Sequence, residues 1–312
     1  AEVWERFKGS AKAPWRSCPS EIISRSAPLP IITPQMLKEA AYTFKRRTGL
    51  GCDSIHPRTF GWLSFEVLEG LARLLMVIEG SGIWPKQVAT ILIALIPKPD
   101  GGKRPIGILP GLVRLWERVR RPIVQMWRVK VARSYNWAAK GRSPQAAVWL
   151  QALKTEAANA RGLSSAGGML DLVKAFEMVK LEIVWVRGLE LGFPATILRA
   201  TLETFAFARR RMLEGAVSQP VATVSAILAG GGFATDAMFI TLIKPCDTLA
   251  REIQGADLCL FVDDLTVLVV GKEEIVQTNV TKAIDRSIEL LEEEMGLKVS
   301  RKKTVVIASS WQ

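Results

Sequence analysis

A single histidine and only two tyrosines in 312 residues remove several common chemistries at the outset. With His56 alone, histidine-dependent nucleophilic catalysis and most zinc arrangements are excluded. His56 stands just before Pro57 at a predicted helix start, where capping or a surface position is its expected role. The four cysteines, Cys18, Cys52, Cys246 and Cys259, form no Cys-x-x-Cys pair, so they read as small hydrophobes in a reducing compartment. No N-terminal targeting pattern is present, and a first residue of Ala fits a fragment. An unbroken membrane-length apolar run is also missing. Residues 221–243 come nearest, but they hold Asp236 and three consecutive glycines between Pro220 and Pro245, so a buried core segment is expected there. Acids are scarce relative to bases, 30 Asp and Glu against 42 Lys and Arg, for a net charge of +12. That imbalance points to a polyanionic partner. Hydrophobic residues make up 49% of the chain, enough for a substantial core and too many for disorder.

Residues 1–32 mix Pro, Ser and isolated apolar residues and read as an irregular leader. Thr33 as N-cap and Pro34 at the first helical position predict a helix whose Leu37, Ala41 and Phe44 share a face. Leu68, Leu71, Leu75 and Ile78 repeat at helical spacing up to Gly80. Ile91 to Ile96 reads as a buried strand, followed by a turn over Pro97 to Pro105 and a second aliphatic run from Ile106. Arg114 to Arg133 holds seven Lys or Arg against one acid, Glu117, with Trp116 and Trp127 interleaved. The alternation suits phosphate contact with aromatic stacking, and tryptophans at helical spacing also suit a core. Residues 145–160 predict an Ala-rich helix and residues 161–168, rich in Gly and Ser, a junction. A later helix is expected to end in Arg209-Arg210-Arg211, and residues 297–304 to form a basic strand after a long helix capped by Gly296.

Two stretches carry chemistry. Residues 258–271 place two apolar runs around Asp263-Asp264, the pattern of a tight hairpin with two carboxylates at its tip. Adjacent acids in an apolar setting are costly unless neutralised, and a divalent cation does so; Asp is equally a common turn residue. Met169 to Phe176 reads as a short strand delivering Asp171 at its end before a helix through Trp185 and Leu189. A strand-end Asp and a distant acidic pair is a layout in which three carboxylates meet around metal ions. Beside these, Lys98 and Arg104 flank the turn near residue 101, where a basic hairpin can close over a triphosphate or simply be soluble turn chemistry. Gly230, Gly231 and Gly232 allow a backbone to approach a ligand closely, or to pack closely on a helix.

The order of these segments resembles reverse transcriptases of the non-LTR retrotransposon and group II intron type, from about Thr33 to Ser309. Residues 49–55 look like the family's early Gly-Pro-Asp-Gly-Ile segment, Leu95 to Ile106 like its fingers hairpin, and Gly141-Arg142-Ser143 like its Arg-containing loop. Asp171 with Ala175-Phe176 matches the first catalytic motif, Phe261-Val262-Asp263-Asp264 the Phe- or Tyr-x-Asp-Asp box, and Lys303-Thr304 a later motif. At residues 229–236 the chain departs from the family, with Gly230 where Gln is usual and Thr235-Asp236 in place of Ser-Pro.

The resemblance implies an α+β right-hand polymerase with fingers and palm and an antiparallel palm sheet backed by helices; a thumb is expected to be missing, since the sequence stops at Gln312. The implied division is a leader over 1–32, fingers with early palm elements over 33–165, and palm over 166–312. It implies RNA-templated DNA synthesis from dNTPs, with an RNA template and a DNA primer as partners, no membrane partner, and an intracellular, for a eukaryotic element nuclear, location. Asp171, Asp263, Asp264 and the Leu172 carbonyl are the implied ligands of two Mg2+ ions, with Mn2+ as a substitute. Lys303 is the implied catalytic partner of the leaving group. Lys98, Arg104, Gly231, Gly232 and Phe176 are the implied nucleotide contacts, Phe176 crowding the sugar 2′ position. Two alternatives are a repurposed relative that binds RNA without polymerising, as maturases do, and an RNA-templated RNA polymerase, which Phe176 disfavours.

Overall fold

The Thr33–Pro34 pair starts a helix as its chemistry requires: the Thr33 side chain accepts from the Met36 N–H and Pro34 sits at the first position, where its missing N–H costs nothing. The computed structural model describes Ile23 and residues 26–99, 101–223, 226–253 and 255–309. Most of the predicted leader and Asp100 of the predicted turn therefore lie outside the described residues. In chain order the elements are α1 (Pro34–Tyr42), a 3-10 helix (Pro57–Trp62), α2 (Phe65–Ser81), β1 (Thr90–Pro97), β2 (Lys103–Ile108), α3 (Gly111–Lys130), α4 (Pro144–Ala160) and β3 (Ser164–Leu170). There follow α5 (Ala175–Met178), α6 (Leu181–Glu190), α7 (Ala195–Phe205), β4 (Ala208–Leu213), β5 (Ala216–Val217), α8 (Ala234–Glu252), β6 (Ala256–Phe261) and β7 (Asp264–Gly271). Last come α9 (Glu273–Glu289), a π-helical turn (Leu290–Glu294) and β8 (Val305–Ala308).

His56 caps the 3-10 helix, its ring accepting from the Arg58 N–H, which is the capping role its position before Pro57 predicts. Gly296 ends the long C-terminal helix at a φ of 67°, a left-handed conformation that glycine adopts without steric cost. Among the described residues no helix is long and apolar enough to cross a membrane. Residues 234–243 of that apolar stretch instead form the first part of α8, where Met238, Ile240, Leu242 and Ile243 are buried.

The chain divides into two compact units, residues 1–127 with 180–234, and residues 128–179 with 235–312. In the first, β1 pairs antiparallel with β2 and parallel with β4, giving the sheet order β2-β1-β4-β5. Its core carries edge-to-face rings: Trp84 on Trp116 at 5.4 Å between centroids, and Trp116 on Phe233 at 5.9 Å. Trp116 and Trp127 are both buried, so the tryptophans of the basic stretch are core residues and not base platforms. The amphipathic period of α3 puts them on its buried face together with the paired Arg120, while Arg114, Arg118, Arg121 and Arg128 are only partly buried. Arg209 to Arg211 form part of β4 and not a helix end, because they run alongside Ile91, Leu92 and Ile93 of β1 in a parallel ladder.

In the second unit a four-stranded antiparallel sheet has the order β6-β7-β3-β8. The Gly- and Ser-rich stretch expected as a junction is the body of β3. Its glycines are there for packing: a Cβ on Gly168 would lie 2.8 Å from Ile284 of α9, too close to be accommodated without movement. Ala166, Val269, Val276 and Val280 close the core between sheet and helix. Residues 297–304 are largely a turn, with the Thr304 N–H donating to the Ser300 carbonyl, and the strand comes only at β8. The helix expected through Leu189 is two pieces, α5 and α6, parted at Val179 and Lys180.

Candidate functional site

Pairing between β3 and β7 sets the site. Their register runs Met169 to Thr266 and Leu170 to Leu265, so Asp171 follows the last paired residue of β3 at the end of the ladder where Asp264 begins β7. Strand pairing thereby brings together two carboxylates far apart in sequence, near enough that, after burial, the Asp171 charge raises the Asp264 carboxyl. Asp263 enters through the β6–β7 hairpin. Phe261 pairs with Asp264, so Val262 and Asp263 alone make the loop. A two-residue loop that follows strand twist needs a positive φ at its first position, and Val262 sits at 61°. For a β-branched residue that is a strained conformation, held because the two strands fix both ends of the turn.

The three acids feel one another. Burial first, then the Asp264 charge, with Asp171 and Glu177 adding to it, pushes the Asp263 carboxyl above its ordinary range, although its own backbone N–H pulls it down. Burial and then Asp171 raise Asp264, opposed by Lys303. The Lys303 ammonium lies 3.5 Å from Asp171 Oδ2. Its position follows from the turn after α9. The Ser300 N–H donates to the Asp171 carbonyl at 2.8 Å, the Val173 N–H donates to the Lys298 carbonyl at 2.7 Å, and the Lys303 N–H closes the turn on the Ser300 carbonyl. Those two bonds lock the bridge between Leu172 and Val299, and neither uses the Leu172 carbonyl. Among the described residues no group of three or more His, Cys, Asp or Glu is placed so as to hold a metal ion. The cluster is therefore a concentration of negative charge facing one lysine, with hard oxygen donors in excess of the cations beside them.

Phe176 is half-buried, one residue into α5. Lys174 turns the chain into that helix at a φ of 51°, a left-handed conformation in a non-glycine residue, one turn from Asp171. Leu172 is buried. Asp171, Leu172, Phe176, Asp263, Asp264 and Lys303 thus all belong to the second unit.

Lys98, Arg104, Gly231 and Gly232 belong to the first unit. Lys98 follows the end of β1, its N–H bonded to the Gly102 carbonyl, and exposed Arg104 faces Ile96 across the hairpin. Gly230 has a φ of 108°, and a Cβ there would lie 2.4 Å from the Gly107 carbonyl, so the loop packs tightly on β2. The Gly232 N–H donates to Glu117 Oε1 at 2.8 Å. Glu117 was not singled out by motif. Its signal was being the one acid among seven bases between Arg114 and Arg133.

Burial dominates the ionisation of Glu117 and pushes its carboxyl up to about 7, against the lowering influence of the Gly232 N–H and of Arg121, Arg114 and Arg118. A carboxyl raised from 4.5 to about 7 binds more protons folded than unfolded between those values. Stability therefore falls as pH rises through that window, by on the order of 3 kcal/mol in total, and levels off above it. Glu117→Gln keeps an acceptor for Gly232 and removes the charge. Thermal midpoints measured from about pH 5 to pH 8 should decline more steeply in the parent chain than in the variant; parallel profiles would contradict this.

A family model described as reverse transcriptase (RNA-dependent DNA polymerase) matches residues 96–312, well over half of the chain. No curated protein sequence matches significantly. Among solved structures the chain is similar to an apo telomerase from Candida tropicalis truncated from its C-terminal domain, with a TM-score of 0.52 and 13% identity. That match covers 80% of this chain, which spans 56% of the length of the telomerase chain. At such identity the likeness speaks for the fold.

Proposed function

The chain belongs to the reverse transcriptase (RNA-dependent DNA polymerase) family, and from that premise we propose that it extends a DNA primer on an RNA template, in the manner of the non-LTR and group II intron enzymes. The observation that carries this reading is the β3–β7 register, which sets Asp171 beside Asp264 with Asp263 at the adjoining turn. In the proposal the second unit acts as palm, and the β1–β2 hairpin of the first acts in the fingers.

In donor chemistry, though not in present geometry, the set suits a hard divalent cation: oxygen ligands only, three mutually repelling carboxylates, and a Leu172 carbonyl outside the bonds that lock its bridge. When bound by Asp171, Asp263, Asp264 and that carbonyl, two Mg2+ ions would supply acidification of the primer hydroxyl and neutralisation of charge on the departing pyrophosphate. Lys303, held near Asp171, donates a proton to that leaving group. Lys98 and Arg104 bind the triphosphate, Arg104 as a bidentate fork and Lys98 as a point charge. The loop at Gly231 and Gly232, steadied by Glu117, supports the incoming nucleotide. The ring of Phe176 occupies the space a ribose 2′-hydroxyl would need, which selects deoxynucleotides.

Primer extension on a primed RNA template with Mg2+, supplied with dNTPs or NTPs, tests the reading. Incorporation of dNTPs is expected, and discrimination against NTPs should fall on the order of a hundredfold in Phe176→Ala, since shape exclusion in a pocket is worth about that much. Equal use of both substrates by the parent chain would refute the role of Phe176. Binding of RNA with no extension on any template would refute polymerisation.

A further inference from the structure

Helix α4 packs on β3 and β7 of the second unit, and of its residues only Ala147 and Ala158 are buried. Its larger apolar side chains are left outside: Val148 is 65% exposed, Trp149 76% and Leu153 60%. Trp149, Leu153 and Ala157 succeed one another at intervals of four, the spacing that lines side chains into one ridge along a helix. The ridge itself is uncharged. Lys154 beside it is already paired with Asp257, and the exposed neighbour is the acid Glu156. A polynucleotide would need cations here, so the ridge is suited to another apolar surface.

At its Ala157 end the ridge meets a cavity of about 330 Å³ between α4 and the sheet. Its apolar lining is Ala157, Ala158, Leu163, Leu268 and Val270, and it is large enough for an indole ring. One ridge thus carries a large exposed ring at Trp149 and an apolar hole at Ala157, with Leu153 four positions from each. A two-fold axis through Leu153 exchanges the two ends. The Trp149 ring of each copy then meets the hole of the other, and Leu153 meets its own equivalent. That self-complementarity is what a closed, isologous dimer requires, and ridges of this spacing interdigitate in the commonest class of helix crossing.

We propose that two copies of this chain associate through α4, about a two-fold axis at Leu153. The contact is separate from the carboxylate site and does not depend on polymerase activity. A single 17-residue helix, about 25 Å long, offers a small interface, so the dimer is reversible, with a Kd of roughly micromolar order. Each copy carries a net charge of +12, so repulsion opposes the dimer and added salt tightens it, the reverse of its effect on nucleic-acid binding.

Sedimentation velocity of the nuclease-treated full chain, from about 1 to about 200 μM, tests the proposal. The dimer fraction should rise with concentration, and rise further between about 0.1 and about 0.5 M salt. Trp149→Ala should weaken the association about tenfold or more, as loss of a buried aromatic anchor does, while its circular dichroism spectrum matches the parent's. On mild oxidation Leu153→Cys should give a covalent dimer beyond any formed by the parent chain, because a residue on the axis faces itself at disulfide distance. Val148→Cys, at a comparably exposed position off the ridge, should not. A chain that stays monomeric throughout, a dimer untouched by Trp149→Ala, or equal cross-linking of the Val148→Cys and Leu153→Cys variants would each overturn the proposal.

Discussion

Asp263→Asn is expected to abolish primer extension. Asn keeps the size and one oxygen of the side chain but removes its charge, so the two cations of the proposed mechanism would no longer be held against their own repulsion at the tip of the β6–β7 hairpin. Charge stabilisation by such ions is worth several kcal/mol. About 4 kcal/mol corresponds to about a thousandfold in rate. The fold should survive and become more stable at neutral pH, because Asp263 is raised by burial and by Asp264 and Asp171, and a raised carboxyl costs stability once pH exceeds its unfolded value. Rate and thermal midpoint therefore move in opposite directions, which a merely misfolded variant would not do. Single-nucleotide incorporation under saturating dNTP measures the first and a thermal scan the second. A rate within tenfold of the parent would remove Asp263 from the catalytic set.

The largest expected loss of stability is in the first unit, at the buried pair of Arg120 and Glu79. Arg120 is 1% exposed and grips both carboxylate oxygens of Glu79 at 2.6 Å, while its remaining nitrogen donates to the Pro30 carbonyl at 2.8 Å. Trp116 donates to the same carboxylate at 2.7 Å, and Arg199 donates to the Glu79 and Gly80 backbone carbonyls at 2.7 and 2.8 Å. Arg120→Met strands the Glu79 charge in the core, and breaking a buried pair from one side costs about 3 to 5 kcal/mol. For a unit of this size that lowers the midpoint by roughly 6 to 20 °C. Replacing Glu79 as well, by Leu, should return much of the loss, because an apolar pair of similar volume avoids the desolvation of both charges. A double variant no more stable than Arg120→Met would show that the lost packing, and not the stranded charge, sets the cost.

Legibility in the sequence followed the range of the forces. Thr33 and Pro34, His56 before Pro57, and Gly296 were readable because a cap is made by residues three or four positions away. The hairpin at Asp263 was readable for the same reason, its two strands lying next to each other in the chain. Asp171 was legible as an acid at a strand end, but its place beside the Asp263-Asp264 pair was matched only through a family motif, since nothing local to it names its neighbours.

What tertiary structure decided are the features whose partners lie far along the chain. A run of Gly and Ser becomes β3 because Ile284 and Val267 require the absence of side chains there. Three arginines become strand because β1 offers them a parallel ladder. Trp116 and Trp127 are buried because the apolar face of α3 meets Trp84, Phe233 and Phe193. Glu117 binds the glycine loop although 115 positions separate them. The sequence by itself determined caps, turns and the identity of the acids, since those depend on hydrogen bonds within a few residues. Which acids meet, which lysine faces them and which glycines are filled by a neighbour depended on long-range strand register and core packing, whose partners no local pattern names.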